Sequence, residues 1–461
     1  MSHSNWKPRL KRSTGPLYGA LVDALAADIC AGRLRAGDRL PTHRELAATL
    51  GASLGTVTRA YAEAERRGLI WSQVGNGTFV KNLREGDRYS PQLDRTRIDL
   101  GPTAVPIVPG DLGHLAFAAA LGRLAGRADL GALSGYQAHA GTEAQREAGV
   151  HWLGLAGVPA RREEVLVSGG AQHATLMVLA LLADAGGLLV EDVTYPGVLA
   201  AAELLRLPTH PVAVDAEGLV PEALAEACRR SKARVLYCTP TNHNPTTAIM
   251  PLKRRQALVE VCREFNVTLI ENGALAPLVA KAPAPLAALA PERTYHLGSL
   301  SKAVLPALRV GYIRAPAPAR QTLEQAAAAT VWSGSPLLNE LAAQWVTDGT
   351  AESLRDARRA EATARQSLAA KVLKGHAYVA HASAYFLWMP IPEQRRATEL
   401  VEAAAARDVL LGPAHLFAAR PGQAPNALRV SLGAAGSREE LERGLRTLAE
   451  LLGAPAPRRL V

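Results

Sequence analysis

From residue 98 onward, short apolar runs alternate with longer stretches rich in alanine and leucine. The apolar runs have the length of β-strands, and they cover residues 165–167, 187–190, 235–238, 267–270 and 295–297. The stretches between them have the length and composition of helices. Strands that alternate with helices along a chain are typical of an α/β domain in which most neighbouring strands run parallel. The sequence therefore predicts an α/β fold with a largely parallel sheet.

Positive charge is concentrated at the start of the chain. Residues 1–84 contain 13 Lys and Arg against 6 Asp and Glu, whereas the whole chain of 461 residues has a formal net charge of +10. A basic excess within so short a segment points to a polyanionic partner. The N-terminal region is therefore the candidate for contact with nucleic acid.

Nothing in the sequence indicates a membrane, secreted or metal-binding protein. The most apolar run, residues 174–183, is too short for a transmembrane helix and ends at Asp184. The basic N-terminus is not followed by the pattern of a signal peptide. The four cysteines have no CxxC spacing, which favours reduced thiols and no metal. We therefore expect a cytoplasmic protein without a metal site or a membrane partner.

Helix signals follow one another near the N-terminus. Residues 17–31 have apolar side chains at helical spacing and stop before a glycine. Thr42 and Glu45 have the spacing of a capping box, which predicts a second helix that ends at Gly51. Ser53 is placed to cap a third helix.

The predicted third helix has one apolar stripe, which consists of Val57, Ala60, Tyr61 and Ala64. After this helix, residues 69–72 and 78–80 have strand character and are joined around a Gly-Asn-Gly run. Three helices followed by a glycine-tipped hairpin are the elements of a winged helix-turn-helix.

Residues 14–80 resemble the GntR-type winged helix, and the runs RLPTHRELA, TVTRAY and GNGTFV carry the resemblance. It implies DNA contacts by residues of the second helix, the third helix and the wing, namely Arg44, Thr56, Thr58 and Gly77. Arg59 lies mainly off the apolar stripe and is a further candidate. Relatives often have an arginine where this chain has Leu54, so we expect a different base readout. The alternative is that Arg44 and Arg59 are solvated surface charges.

The segment 298–311 carries the residue types needed to hold an aldehyde as a Schiff base beside a phosphate. Lys302 supplies the amine, and an arginine-rich, partly desolvated site would lower its pKa towards useful nucleophilicity. Arg309, Ser299 and Ser301 are suited to bind the phosphate.

A second phosphate-binding element is predicted at the start of an apolar helix. The run SGGAQ at residues 168–172 follows a strand, and its glycines let backbone N–H groups and the positive end of the helix dipole face an anion. The candidates are Gly170, Ala171 and Gln172. A simple tight turn of small residues is the alternative.

Three further side chains are suited to such a site. Tyr195 can stack on an aromatic ring, the Asn244 amide can bond a phenolic oxygen, and Arg429 can pair with a carboxylate. Each of them alone has an ordinary alternative as a core aromatic, a turn residue or a surface charge.

In this order and spacing, residues 98–455 resemble the fold type I pyridoxal-phosphate enzymes, the aspartate aminotransferase-like superfamily. The resemblance implies a large α/β domain and a smaller C-terminal α+β subdomain. It assigns Lys302 to the aldimine with pyridoxal 5′-phosphate and Arg429 to the substrate carboxylate. It assigns other cofactor contacts to Ser299, Ser301, Arg309, Gly170, Ala171, Gln172, Tyr195 and Asn244. Tyr136 matches a tyrosine that reaches the phosphate bound to the other subunit, which implies a homodimer.

The chain departs from this superfamily beside the cofactor ring. Asn272 lies where these enzymes usually have the aspartate that pairs with the protonated pyridine nitrogen. A neutral amide can hydrogen bond to this nitrogen but cannot hold its charge, so the ring becomes a weaker electron sink. Leu275 replaces the tyrosine that supports the phenolic oxygen. A shift of one residue in the alignment would instead place Glu271 at the aspartate position.

A GntR-type winged helix joined to an aminotransferase-like domain is the architecture of the MocR family of transcription regulators, which this chain resembles over almost its whole length. The resemblance divides it into a winged helix (14–80), a linker (81–97) and an aminotransferase-like domain (98–461). It implies a regulator that uses pyridoxal phosphate, binds a double-stranded DNA operator, senses a small amino compound and dimerises, in many members head to tail. The alternatives are an active aminotransferase that carries a DNA-binding domain, and a regulator that has lost its cofactor.

Overall fold

The computed structural model describes residues 6–8, 10, 16–30, 33–34, 37–66, 69–73, 77–80, 97–126 and 130–454. The predicted linker lies outside the described residues except for Arg97, and so do Gly75 and Asn76 of the predicted wing. The described residues form a winged helix, a large α/β domain and a small domain with its own sheet.

The winged helix contains the three predicted helices and two predicted strands, and α2 begins and ends at its predicted capping residues. They are α1 (Leu17–Cys30), α2 (His43–Leu50), α3 (Leu54–Arg66), β1 (Ile70–Gln73) and β2 (Gly77–Val80). The capping box is confirmed, because the Glu45 N–H donates to Thr42 Oγ1 at 3.3 Å and the Thr42 N–H donates to the Glu45 carboxylate at 2.8 Å. Gly51 ends α2 in the left-handed region. The two strands pair antiparallel.

The apolar stripe of α3 packs into the core of the winged helix, as predicted. Val57 and Tyr61 are buried, together with Ala60 and Ala64. They share one core with apolar residues of α1 and α2 such as Leu21. Burial of a side chain such as Val57 contributes about 1.5–3 kcal/mol relative to exposure, so this stripe fixes α3 in place.

The other strands are β3 (Ile98–Leu100), β4 (Val165–Ser168), β5 (Leu188–Glu191), β6 (Thr209–Val212), β7 (Val214–Asp215), β8 (Gly218–Leu219), β9 (Val235–Cys238), β10 (Thr268–Asn272), β11 (Thr294–Ser299), β12 (Gly311–Arg314), β13 (Phe386–Pro390), β14 (Val409–Pro413) and β15 (Ala427–Ser431). The large domain has a seven-stranded sheet in the order β4-β12-β11-β10-β9-β5-β6. β12 runs antiparallel to both its neighbours, and the other pairs are parallel. The predicted, largely parallel sheet is confirmed, and sequence reasoning missed β6 and β12.

The other helices are α4 (Leu112–Ala125), α5 (Glu143–Gly154), α6 (Ala171–Leu181), α7 (Pro196–Leu204), α8 (Pro221–Arg230), α9 (Leu252–Glu264), α10 (Leu286–Leu289), α11 (Arg320–Thr330), α12 (Pro336–Thr347), α13 (Thr350–Val372), α14 (Ala397–Ala405) and α15 (Arg438–Gly453). Side chains of a strand alternate between the two faces of its sheet. In β10, Ile270 packs in the core with α6 and α7, and Leu269 packs in the core with α8 and α9. Among the described residues, we find no helix with the length and apolarity that a membrane span requires.

The small domain contains a four-stranded sheet in the order β13-β15-β14-β3. Its core joins this sheet to α13, α14 and α15. β3 comes from the start of the aminotransferase-like region and pairs parallel with β14, so the small domain is not purely C-terminal. The segment after β3 then crosses towards the large domain and passes over the site described next.

Candidate functional site

Lys302 lies at the carboxyl end of the large sheet, three residues after β11 ends. Most of its side chain is buried, and its Nζ donates a hydrogen bond to the carbonyl oxygen of Thr103 at 2.5 Å. Burial and the nearby cations of Arg429 and Arg309 lower the pKa of Lys302 from 10.5 to about 8. The amine therefore loses its proton more readily than that of an exposed lysine, and it is suited to act as a nucleophile.

A space suited to an anion lies between the start of α6 and the loop after Lys302. Gly170 has a φ of +89°, and a Cβ at this position would lie 3.3 Å from Arg309 Nη2 and 3.7 Å from Ser301 Oγ. Ser301 Oγ is buried and has no hydrogen-bond partner in the described part of the chain. Ser299 Oγ accepts the Ser301 N–H at 3.1 Å. Glycine keeps the space open, and a free hydroxyl and a guanidinium face it.

The backbone around Arg309 and α6 completes this anion-binding space. Arg309 Nη2 donates to the Gly169 carbonyl oxygen at 3.2 Å, and no carboxylate of the described residues forms an ion pair with it. His173 Nδ1 accepts the Gly169 N–H at 3.0 Å, so this N–H is already used. The N–H groups of Ala171 and Gln172 belong to the first turn of α6, which has no intrahelical acceptors for them. They remain available to a phosphate.

Arg429 lies on β15 and is buried. Its Nη1 donates to Asn244 Oδ1 at 3.0 Å and to Thr103 Oγ1, and its Nη2 donates to the Gly101 carbonyl oxygen. Burial lowers the pKa of Arg429 to about 9. No described carboxylate forms an ion pair with this guanidinium. Asp99 interacts with Arg429 at longer range, but all hydrogen-bond partners of the guanidinium are neutral, so it is suited to bind a carboxylate.

Tyr195 and Gln172 meet at Gly197 in the first turn of α7. Gln172 Nε2 donates to the Gly197 carbonyl oxygen at 2.8 Å. A Cβ at Gly197 would lie 2.3 Å from Tyr195 Cε1 and 2.3 Å from Gln172 Oε1, so only glycine fits between them. The half-buried Tyr195 is thereby held beside the start of α6.

Asn272 ends β10 on the face of the sheet that packs against α6. Its Nδ2 donates to the Tyr237 hydroxyl at 2.5 Å, and its Oδ1 accepts the Ala274 N–H at 3.0 Å. Because a backbone N–H must meet the oxygen, the orientation of this amide is fixed. Leu275 is buried in an apolar core and offers no hydroxyl.

Glu271 points to the opposite face of β10. Its carboxylate accepts the N–H groups of Leu286 and Ala287 at 3.1 and 3.0 Å, at the start of α10. His296 Nδ1 lies 3.0 Å from the same carboxylate. The pKa of Glu271 is lowered, because His296 and these backbone donors outweigh the opposing effect of burial. Glu271 is thus directed away from the face that carries Asn272, which favours Asn272 over Glu271 at the aspartate position.

The predicted DNA-contacting residues lie along the outer side of α2, α3 and the wing. Arg44 and Thr58 are exposed, and Thr56 is half-buried with its Oγ1 2.8 Å from Ser53 Oγ. Gly77 has a φ of +111°. Thr58 Oγ1 also lies 3.4 Å from a ring nitrogen of His43, a residue that sequence reasoning missed.

Arg59 is exposed but packs on its own domain. Its guanidinium carbon lies 4.4 Å from the ring centre of Tyr18 on α1. Leu54, at the start of α3, is 48% exposed. In helix-turn-helix domains, residues at this end of the recognition helix contact bases in the major groove of DNA, so Leu54 presents an apolar side chain there. Arg39 lies against the wing, because a Cβ at Gly77 would be 2.7 Å from its Nε. Arg39 had no signal in the sequence beyond its charge.

Comparison with protein families and solved structures covers both parts of the chain. The model of the aminotransferase class I and II family matches residues 108–448, and that of the gntR family of bacterial regulatory proteins matches residues 17–80. The uncharacterized HTH-type transcriptional regulator YdeF of Bacillus subtilis is 30% identical over 97% of this chain and 97% of its own. This chain belongs to the class I and II aminotransferase family and, within it, to the regulators with a GntR domain, the MocR architecture.

Further relatives of this MocR-type chain include both regulators and enzymes. The HTH-type pyridoxine biosynthesis transcriptional regulator PdxR of Corynebacterium glutamicum is 28% identical over 66% of this chain and 67% of its own. Among solved structures, LysN, the α-aminoadipate aminotransferase of Thermus thermophilus, matches with a TM-score of 0.68 and 26% identity. That match covers 77% of this chain and 92% of the LysN chain.

Tyr136 does not converge on the Lys302 site within one MocR-type chain. Its side chain is 91% exposed, and its ring centre lies 5.9 Å from that of Trp332. A tyrosine this exposed is available to a second subunit.

Among the described residues, no group of three or more His, Cys, Asp or Glu side chains is arranged to hold a metal ion.

Two residues of the site gave no signal in the sequence. Thr103 accepts hydrogen bonds from Lys302 and Arg429, although it lies in a run of small residues without a recognisable motif. Tyr385 donates to the Lys302 carbonyl oxygen at 2.8 Å and so holds the backbone at the reactive lysine. Both contacts join parts of the chain that are far apart in sequence, which a single sequence does not reveal.

Proposed function

We propose that this chain is a pyridoxal-phosphate-dependent, DNA-binding transcription regulator whose aminotransferase-like domain senses an amino compound. One observation carries the proposal: the mostly buried amine of Lys302 lies beside an anion-binding space in a chain that begins with a winged helix. DNA binding itself follows from membership of the GntR family.

The residues of the site fit pyridoxal phosphate. The buried, unpartnered Ser301 hydroxyl, the Arg309 guanidinium and the first turn of α6 provide donors for a phosphate. Tyr195 lies beside this space, where an aromatic ring would stack on it. Pyridoxal phosphate supplies an aldehyde that reacts with amines and a ring that withdraws electrons from them. Lys302, with its lowered pKa, provides the amine that holds the aldehyde.

Arg429 indicates the chemical class of the effector. Its buried guanidinium is held by Asn244, Thr103 and Gly101, all through uncharged atoms, so an incoming carboxylate would be its first charged hydrogen-bond partner. Arg429 and Lys302 also share Thr103 as a hydrogen-bond partner, which places the cation close to the amine. We therefore propose an amino compound that carries a carboxylate as the effector.

Asn272 favours regulation over turnover. Its amide is already bonded to Tyr237 and to the backbone of Ala274, and it is neutral. A pyridine nitrogen next to it gains no carboxylate to hold a proton, so carbanions formed on a bound amine would be poorly stabilised. Attachment of the aldehyde to Lys302 does not need this charge. The site is thus suited to binding an amine rather than to fast transamination.

We further propose a homodimer, in which Tyr136 reaches the phosphate site of the other subunit. A head-to-tail arrangement of the two subunits, with each winged helix near the other subunit's large domain, and a cytoplasmic location are parts of the same proposal. The domain limits 14–80 and 98–461 likewise remain our division of the chain. The exposed ring of Tyr136 supports the dimer, because a large exposed aromatic side chain is a common interface residue.

Binding of pyridoxal phosphate and DNA by the same protein tests the proposal. Purified protein incubated with pyridoxal phosphate should gain a visible absorbance band, and borohydride reduction should add the cofactor mass to the peptide that contains Lys302. Lys302→Ala should lose both signals and still bind DNA. A wild type that stays colourless would contradict cofactor binding, and rapid release of keto acids from amino acids would favour the alternative, an active aminotransferase.

A further inference from the structure

The winged helix contacts the small domain of the same chain at the C-terminal end of α3. Glu65, in the last turn of α3, lies 3.7 Å from Nη1 of Arg396, the residue that precedes α14. Leu69, just after α3, packs on Gly422, where a Cβ would lie 3.2 Å from Leu69 Cδ1. Leu69 is fully buried. The helix that reads DNA is thus in direct contact with the small domain.

The contact at Gly422 is joined to Arg429 by a short segment, residues 417–422. At its start, the ring centre of Phe417 lies 4.4 Å from the guanidinium carbon of Arg429. The Thr194 N–H donates to the Phe417 carbonyl oxygen at 2.8 Å, which fixes this end beside the Lys302 site. The other end is Gly422 itself. A change in the position of Phe417 therefore reaches the winged helix through only a few residues.

The contact at Arg396 is joined to the same strand by Asn426, which immediately precedes β15. Asn426 Nδ2 donates to the Arg395 carbonyl oxygen at 2.8 Å, and its Oδ1 accepts the Ala397 N–H at 2.9 Å. These bonds attach the start of α14, and Arg396 with it, to the strand that carries Arg429. Both contacts of the winged helix are therefore connected to the cation of the effector site.

We propose that these two contacts transmit occupancy of the Arg429 site to the winged helix. This route presupposes the proposed function and adds the residues that connect its two activities. A carboxylate bound to Arg429 forms charge-assisted hydrogen bonds with the guanidinium, which then changes its position against the segment 417–422 and β15. Gly422 and Arg396 move with these elements, and the position of α3 changes with them.

The ion pair adds little to the docking of the winged helix. The side chains of Glu65 and Arg396 are 31% and 13% exposed, and ion pairs that solvent reaches contribute little to stability. A ligand that binds one position of the winged helix about five to 150 times more tightly than another is sufficient to shift the balance between them.

A pair of glycine substitutions tests the apolar contact. Gly422→Ala adds a methyl group against Leu69 at a φ of +78°. Gly375→Ala, also in the small domain, adds the same group at a φ of +89° with no heavy atom within 4 Å. The two variants therefore carry similar backbone strain, and only one of them presses on the winged helix.

The readout is the effect of a bound carboxylate on DNA affinity. Cofactor-free protein is titrated with a DNA duplex selected on the wild type from random sequence, with and without N-(5′-phosphopyridoxyl)glycine. This compound carries phosphate, ring and carboxylate in one molecule and has no side chain to clash. We expect it to change the Kd for DNA by at least about fivefold in the wild type and in Gly375→Ala, and far less in Gly422→Ala.

Charge reversal tests the ion pair independently of the glycine. Glu65→Arg and Arg396→Glu should each reduce the effect of the compound on DNA affinity, and the double variant should recover it. The ratio of the two Kd values is taken within each variant, so the added charge on α3 does not disturb the comparison.

Two results would overturn this route. In the first, the compound changes the Kd for DNA by the same factor in Gly422→Ala and Gly375→Ala, and the double charge variant does not recover the effect of the compound. The other is a wild type that binds both the compound and DNA without any change in affinity. Failure of the proposed function gives a different result, because the wild type would then fail to bind pyridoxal phosphate or fail to bind DNA.

Discussion

Lys302 and Arg429 hydrogen bond to different atoms of the same residue, Thr103: Lys302 donates to the carbonyl oxygen at 2.5 Å and Arg429 donates to Oγ1. One residue of the segment between β3 and α4 thus connects the proposed attachment point of the cofactor to the proposed cation for a carboxylate. In the proposed function, an amino compound whose amine enters the Lys302 site would direct its carboxylate towards Arg429. This arrangement suits α-amino acids and related compounds.

Arg429→Leu should weaken the binding of a carboxylate-bearing effector far more than the binding of the cofactor. Removal of charge-assisted hydrogen bonds costs about 1.5–3 kcal/mol, which corresponds to a loss of affinity of about 10-fold to 150-fold. The measurement is the Kd of N-(5′-phosphopyridoxyl)glycine by titration calorimetry. Pyridoxal phosphate alone, which has no carboxylate, serves as the control ligand and should lose much less affinity. Equal losses for both ligands would contradict the assignment of Arg429.

Asn272→Asp should raise transamination. The new carboxylate would pair with a protonated pyridine nitrogen and restore the electron sink. A gain of only 1.4 kcal/mol in transition-state stabilisation would appear as an about tenfold higher rate. Release of keto acid from a panel of amino acids measures this. Asn272→Ala, which removes the amide without adding charge, is the matched control and should stay at the wild-type rate or below.

Attachment of pyridoxal phosphate should accelerate as pH rises through about 8. The pKa of Lys302 is lowered from 10.5 to about 8, chiefly by burial, and only the neutral amine attacks an aldehyde. Below this pKa the ammonium form dominates, so the rate of attachment decreases as the pH is lowered. Above this pKa the rate levels off. The yield of borohydride-trapped Lys302 peptide after short incubations measures the profile. A midpoint near the ordinary value of 10.5 would show that the site does not lower the pKa of Lys302.

Arg44→Ala should weaken DNA binding almost equally for different sequences and flatten its salt dependence by about one unit of slope, as expected for a lost phosphate contact. Fluorescence anisotropy at several salt concentrations gives both numbers. Arg161→Ala removes an exposed arginine from the large domain and should change neither. Unchanged binding by Arg44→Ala would mean that this side chain is a solvated surface charge. Cofactor absorbance should be the same in both variants.

Sequence reasoning succeeded where local chemistry decides the structure. Thr42 and Glu45 lie within one helical turn, so their spacing alone predicts the capping box that forms. The apolar stripe of α3 and the buried strands of the large sheet follow in the same way from short-range patterns. The grouping of Arg309 and Ser301 was also predictable, because both lie within a few residues of Lys302.

Long-range contacts could not be predicted in this way. Thr103 meets Arg429 because β3 pairs with β14, and no pattern in one sequence reveals that pairing. The guanidinium of Arg59 packs on Tyr18 in another helix, which its place outside the apolar stripe does not show. The choice between Asn272 and Glu271 needed the register of β10, because a shift of one residue exchanges the two faces of a strand.

The pairing of β3 with β14 determines where the winged helix is tethered. The first strand described after β2 is Ile98–Leu100, which lies in the sheet of the small domain. The winged helix is therefore connected along the chain to the small domain rather than to the large domain that holds Lys302. If the small domain rotates around a bound ligand, β3, to which the winged helix is connected, moves with it. The spacing of two such modules in a dimer, and so the spacing of the half-sites they can reach, would change even if every contact of α3 were lost.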